Sequence, residues 1–341
     1  MPPNAPTSSN PGPDWRVIAV CLLGGLGVLA VWSMGVGAAA LPMGDVLAVL
    51  INPDAESRTS IIVWTVRLPR VLAAISVGAA LAVAGAIMQA LTGNPLAEPG
   101  LLGVNAGAAF VVVILTVVLG QSVSSTMLIW GAFAGAACAA CAVYGLGAAG
   151  QSGATPIKLV LAGVVIGTFL GVITATMLIV DAQTLDAVRH WTAGSLRGRS
   201  LSDVLTVLPY LCAGLIAAYV LRAQFTSLSL GRDVAQSLGQ NPALWRMISG
   251  LIVVVLAGSA VAVAGPVGFV GLVVPHMTRM TCGPDYRRII PVALLGGAVL
   301  TLLADSIPRA VWSNDVPVGI SLALIGAPFF VWLARGRIRS L

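Results

Sequence analysis

The sequence is poor in charge. Its 341 residues include 18 basic and 12 acidic side chains, 9% of the chain, against 58% apolar residues. No soluble core conceals that much apolar surface, whereas membrane spans of about 20 residues each absorb it in roughly ten helices. The chain therefore reads as an all-α integral membrane protein. Apolar runs such as Phe110 to Leu119 lack the two-residue alternation that a transmembrane β-barrel requires. The basic residues are scattered through short polar strips and form no continuous face, which excludes nucleic acid as a partner.

Catalytic motifs are missing as well. The one lysine, Lys158, sits in TPIKLV without the glycine-rich approach of a phosphate-binding loop, so this chain does not itself hydrolyse ATP. His190 and His276 are the sole histidines, and neither H-E-x-x-H nor G-x-S-x-G occurs, which removes the parts of a zinc or serine hydrolase. No catalytic residue and no metal ligand set is expected. Ion-coupled carriers generally hold a carboxylate or histidine deep in a span, whereas all twelve acids fall in polar strips or within a few residues of span ends. The five cysteines are odd in number and lack the spacing of a disulfide framework. Cys138 and Cys141 stand in the Ala-rich GAACAACAVYG, with no acid or histidine beside them, and read as small packing residues.

Apolar runs between polar or Gly/Pro breaks predict spans near 17–40, 69–91, 99–119, 124–149, 157–180, 204–221, 247–265, 267–281, 289–305 and 318–334. A Pro-, Ser- and Asn-rich tail at 1–14, expected to be disordered, precedes a ten-span domain at 15–341. The eighth span leaves its own crossing open, since about 14 residues cover about 21 Å of a roughly 30 Å hydrocarbon core. With both termini cytoplasmic, 11 basic residues fall inside and 7 outside, the latter being Arg58, Arg67, Arg70, Arg189, Arg197, Arg199 and Arg309. The excess inside supports that orientation and leaves the outer arginines needing a reason. GAALAVAG at 78–85 and GSAVAVAG at 258–265 share six of eight residues at an offset of 180. They fall in the second and seventh spans, and an offset of five spans reverses direction across the membrane, as in an inverted repeat.

Several constellations stand out. Arg67-Leu68-Pro69-Arg70 is expected to open the second span on the outer side, with Pro in the first turn where its missing N–H costs nothing. Arginines at i and i+3 share a face, suited to gripping carboxylates that arrive from outside or to snorkelling at the interface. TGNPLAEPGLLGVNAGAA at 92–109 interrupts a helix at membrane depth; such breaks persist where protein or a water-filled cavity satisfies the backbone, so it lines a pathway, forms an interface or is a plain kink. The loop 222–246 is the longest cytoplasmic segment. There Leu230, Val234 and Leu238 fall on one apolar stripe, Arg232 and Asp233 face elsewhere, and Gly239 ends the helix, giving a docking helix or one lying passively at the interface. Residues 304–319 are expected to form the last outer loop. His276 reads as a packing residue, and Gly131 with Gly135 and Gly167 with Gly171 give G-x-x-x-G spacings for close helix contact.

RLPR at 67–70, GNPLAEPGLLGVNAGAA at 93–109, LAG at 161–163, W-x-x-G-S-L at 191–196, LGRDVAQSLG at 230–239, GPVGFVGLVVPHMTR at 265–279, Ala304-Asp305 with Arg309, and PVGISLALIGAPFFVWL at 317–333 follow one another in an order that resembles the permease subunits of the iron-siderophore and vitamin B12 ATP-driven importers, the FecCD-type family. The resemblance implies a ten-span, inverted-repeat subunit of the bacterial cytoplasmic membrane. It pairs with a second copy or a paralogue, leaving the substrate path along the dimer axis within the lipid bilayer. It also implies two separate ATPase subunits that bind ATP and Mg, so that no cofactor resides in this chain, and an extracytoplasmic solute-binding protein. Arg232, Asp233, Ala235, Leu238 and Gly239 match the family's ATPase contact, and Arg67, Arg70 and Arg309 match arginines that meet glutamates of the binding protein. Asn94, Pro95, Pro99, Gly100 and Asn105 match the broken helix beside the pathway, and Thr155 and Pro156 an inner gate at 154–158. Pro308 departs from the small residue usual before this arginine, and Asp315 from the usual glutamate. VNAGAA at 104–109 resembles the siderophore members, which implies a ferric siderophore as cargo. Carriage of haem or cobalamin by the same importer type, and an ion-coupled carrier, are the alternatives.

Overall fold

A computed structural model describes residues 14–53, 57–149, 155–312 and 315–338. Residues 1–13 of the expected tail and Ala154 of the expected gate lie outside them. Among the described residues the regular elements are helices: α1 (Trp15–Gly35), α2 (Met43–Ile51), α3 (Arg58–Thr92), α4 (Val104–Leu119), α5 (Ser125–Ala148), α6 (Pro156–Val180), α7 (Ala182–Thr192), α8 (Leu201–Val220), α9 (Arg222–Ser229), α10 (Arg232–Ser237), α11 (Pro242–Ala264), α12 (Val270–Cys282), α13 (Tyr286–Trp312) and α14 (Val318–Ile338). Seven of these, α1, α3, α5, α6, α8, α11 and α13, are long and apolar enough to cross a membrane. The remaining α4, α12 and α14 occupy the places of the other three expected spans.

Side-chain caps fix many of the helix starts. Ser124 accepts from Met127 N–H, Thr155 from Lys158 N–H, and Asn241 from Ala243 and Leu244 N–H. Ser200 and Asp203 form a reciprocal capping box at α8, which satisfies two of the orphan donors of a helix start.

The spine of the bundle is α3, buried on all sides along most of its length. A helix surrounded by others needs small side chains so that backbones can approach, and Ala and Gly dominate GAALAVAG for this reason. A Cβ at Gly85 would collide with the Gly271 backbone of α12, and one at Gly78 with the Gly297 backbone of α13. Backbone cannot swing aside as a side-chain end can. Gly85→Val is therefore expected to destabilise the protein by more than the roughly 1–3 kcal/mol of ordinary overpacking, read as a lowered Tm of the purified protein; an unchanged Tm would mean that α3 and α12 are not in contact.

Three expectations need correction. The second span does not open at Arg67: the helix runs from Arg58, and a stretch of wider π-type turns at Ile62–Arg67 precedes Pro69. Those turns accommodate the missing donor and the ring that would clash with the carbonyl four residues back. Residues 304–312 are not an outer loop but the last turns of α13. The stripe at Leu230, Val234 and Leu238 does not lie on one helix, because Gly231 at φ 101° separates α9 from α10.

The eighth span does traverse the bundle. Ala264 at the end of α11 accepts from Ser195 N–H at one end, and Tyr286, just beyond α12, donates to Thr226 at the other. The 13 residues of α12 rise only about 20 Å, and the irregular segment 265–269 covers the remaining depth. A similar break follows α3, at 93–103, before α4 begins. Each break opens on a glycine at positive φ, Gly93 at 62° and Gly265 at 73°. Since α3 ends where α11 begins, the two helix–break–helix units run in opposite directions, as an inverted repeat requires. Glu98 in the first break accepts from the N–H of Phe269 in the second at 3.3 Å, and Phe269 is the one non-glycine residue among those described with positive φ, 68°.

Candidate functional sites at the two ends of the bundle

Arg67, Arg70 and Arg309 come together at one end. Thr92 is 25 residues from Arg67 along α3, about 38 Å at 1.5 Å per residue, against about 30 Å of hydrocarbon, so the cluster stands beyond the apolar core. The three guanidiniums are not free to grip a partner. They are 5%, 8% and 6% exposed, and each is engaged within the chain. Arg67 donates to the carbonyls of Met34 and Ala39, and Arg309 to those of Val36 (3.0 Å) and Asp305 (3.1 Å) and to Ser33 Oγ (2.9 Å). Between them they cap the last turn of α1, whose terminal carbonyls have no partner along the helix.

Arg70 Nη2 and Arg309 Nη2 both reach Asp305 at 2.9 Å, Arg70 Nη1 reaches Asp315 at 2.7 Å, and Arg197 reaches the other Asp315 oxygen at 3.5 Å. The result is a chain of alternating sign, Arg197, Asp315, Arg70, Asp305, Arg309, that fastens α3, α13 and the loops before α8 and α14. Arg67 lies beside it, so the cluster carries a surplus of positive charge. Only its Arg197 and Asp315 members reach solvent. The i, i+4 pair Asp305–Arg309 was visible as a spacing in the sequence, but its membership of a helix was hidden by the charges and by Pro308. The short Asp315 side chain reaches Arg70.

Burial would raise the Asp315 carboxyl, but Arg70, with Arg197 and Arg309 adding, outweighs it and holds the group below its ordinary value. A depressed carboxylate contributes stability that is complete above its unfolded pKa of about 3.9 and is lost as pH falls through the lower folded value. Tm is accordingly expected to be flat with respect to this group from pH 7 to about 5 and to fall below about 4, with Asp315→Asn showing a smaller acid-side drop than the parent. Identical acid profiles for the two proteins would remove Asp315 from the network.

At the opposite end, Phe225 of α9 is fully buried. Thr226 Oγ1 donates to Asp285 at 3.1 Å and accepts from Tyr286 N–H at 3.0 Å. This anchors the segment between α8 and α11. Leu230, Val234 and Leu238 project outward, 59%, 41% and 61% exposed, and Asp233 is exposed. Gly239 caps α10 at φ 77° with open space around it. Ala235 is fully buried, so it supports this surface from within and does not lie on it. The backbone of Arg232 starts α10.

The break after α3 packs against its neighbours. Asn94 is exposed and its Oδ1 accepts from Leu96 N–H; Pro99 is buried at the start of a single 3₁₀ turn, close to Gly271. Pro95 is half-buried. Gly100 lies between the side chains of Asn105 and Glu98, and the Leu101 carbonyl meets Gly163 of α6. At the expected gate, Thr155 caps α6, Pro156 is its first residue, and Lys158 Nζ donates to the Ala149 carbonyl at the end of α5 at 3.1 Å. His276 packs edge-to-face on Phe329 of α14, ring centres 5.9 Å apart. Among the described residues no group of three potential metal ligands occurs.

The model of the FecCD transport family matches residues 25–336. The chain belongs to the FecCD transport family. It is 41% identical over 320 residues to the Fe(3+)-citrate import system permease protein YfmD of Bacillus subtilis, covering 94% of this chain and 93% of that one. It is 42% identical over 309 residues to the ferric enterobactin transport system permease protein FepD of Escherichia coli, covering 90% and 92%. A solved metal-chelate type ABC transporter in an inward-facing conformation superposes with a TM-score of 0.81 at 26% identity, over 94% of this chain and 99% of that chain. The named relatives are thus permease proteins of iron import systems, and the helical, multi-pass architecture is shared with a solved transporter.

Proposed function

We propose that this chain is the membrane permease of an ATP-driven importer in the cytoplasmic membrane, that it takes up a ferric siderophore, and that both termini are cytoplasmic. The observation that carries the reading is the pair of uncovered leucines, Leu230 and Leu238, on a segment held firmly by Phe225 and Thr226. Apolar side chains on a fixed polar surface mark a docking site. The occupant is an ATPase subunit, one per permease copy, which binds ATP and Mg outside this chain. Thr155 and Pro156, at the same end, belong to the gate that opens when the ATPase pair closes. The names of YfmD and FepD support a ferric chelate as cargo. Affinity capture of the tagged permease from its own membranes tests the ATPase assignment: an ATPase should accompany it in equal amount, and a permease recovered alone would contradict it.

A second copy or a paralogue packs along α6, where Gly167 and Gly171 have no atom of this chain close by. This spacing suits a close helix crossing. The broken-helix residues Asn94, Pro95, Pro99, Gly100 and Asn105 stand beside the path so formed. At the arginine end the solute-binding protein meets the positive surplus through Arg197, which is exposed, while Arg67, Arg70 and Arg309 act from beneath as the frame that holds the docking loops. Charges at the rim of an interface govern encounter rate and salt dependence. Arg197→Glu is expected to slow association with the binding protein by about tenfold at low salt and to flatten its salt dependence; an unchanged association rate would place the docking surface elsewhere.

A further inference from the structure

Two cavities meet at the end of the bundle that carries residues 222–246, and Leu91 and Arg246 line both. The larger, about 340 Å³, is a groove between α5 and α11 with Ala137, Cys141 and Tyr144 on one wall, and Met247, Leu251 and Val254 on the other. Ala137 to Gly145 and Arg246 to Val254 each rise about 12 Å, so the groove is a slot parallel to two helices long enough to cross a membrane. The smaller cavity, about 150 Å³, is a notch where α3 and α9 end and α11 begins, and it gathers Thr92, Ser229 and the backbone at Gly93 and Gly231. Thr92 and Ser229 give their hydroxyl protons to the carbonyls of Met88 and Thr226. Arg246 is the charged side chain among the described residues that line the notch, and among the described residues no carboxylate lines either cavity.

An apolar slot that opens at the end of two spanning helices onto a guanidinium matches the two halves of a membrane lipid. Arginine near a span end sits at headgroup level and attracts anionic lipid. We propose that this is a binding site for an anionic phospholipid, one acyl chain lying in the groove between α5 and α11 and the phosphate meeting Arg246. The site goes beyond the transport reading and does not depend on which cargo is carried.

The test is native mass spectrometry of the full chain, purified in detergent together with whatever subunits accompany it, after incubation with phosphatidylglycerol, phosphatidylcholine or inorganic phosphate. Phosphatidylglycerol should be retained about fivefold more than phosphatidylcholine, the contribution of one basic residue near the surface. Arg246→Gln should bring the two lipids level. Ala137→Leu, which narrows the groove without touching the arginine, should reduce retention of both. Equal retention of the two lipids by the parent would overturn the proposal. So would retention of inorganic phosphate without lipid, or blocking of lipid uptake by a bound subunit that labels at Cys141 on cross-linking, which would make the groove a protein contact.

Discussion

Asp305→Ala is expected to be the most damaging single change at the arginine end. The carboxylate is 1% exposed and lies 2.9 Å from both Arg70 and Arg309, so its removal leaves the buried Arg309 facing Arg70 without a carboxylate partner, and Arg70 with Asp315 alone. Breaking a buried pair by deleting one partner costs about 3–5 kcal/mol, because the surviving charge stays desolvated, and here two charges survive. The loss should appear as a large fall in Tm of the purified protein, with fraying at the end of α1, since Arg309 also holds Val36 and Ser33. Replacing the partners together, as in Asp305→Leu with Arg70→Met, should recover part of the loss, since apolar residues of similar size often substitute for a buried ion pair at little cost. An Asp305→Ala protein with the parental Tm would mean that the network is ornamental.

The second large effect is expected at the other end. Val234→Asp with Leu238→Asp should abolish ATP-driven uptake while leaving expression and Tm near parental, because both side chains project away from the chain. Apolar anchors at the centre of an interface are worth about 2 kcal/mol or more each, roughly thirtyfold in affinity. ATPase recovered with the double variant should fall accordingly. Ala235→Asp supplies the contrast: Ala235 is enclosed within the chain, so this change should lower Tm first and docking only as a consequence. Gly239→Trp is a poorer probe, since φ of 77° strains any side chain placed there. Full uptake by the Val234/Leu238 variant would detach the docking surface from this segment.

The ends differ in how well the sequence foretold them. Apolar runs located most spanning helices closely: 124–149 against Ser125–Ala148, and 157–180 against Pro156–Val180. Burial of long apolar stretches is a local property that hydropathy reads directly. The arginine cluster failed as a surface because a charge was counted as polar wherever it stood. Asp305 and Arg309 looked like a loop, yet they pair with each other one turn apart on α13, and Asp305 pairs again with Arg70, 235 residues away in the sequence. No local pattern carries that pairing. Ala235 was misplaced for a related reason: a break at Gly231 turns the two short helices independently, and the stripe drawn through one continuous helix no longer tells which side is covered. The repeat GAALAVAG/GSAVAVAG did single out α3 and α11, the two closely packed helices that each precede a break, although 78–85 ends short of Gly93 while 258–265 ends on Gly265 itself.

The most direct measurement is uptake into proteoliposomes that contain the permease and its ATPase, with a ferric siderophore presented by the solute-binding protein. Accumulation of the chelate should require ATP and the binding protein together, and haem and cobalamin should not compete for it. Accumulation driven by an ion gradient without ATP, or by the permease alone, would contradict it.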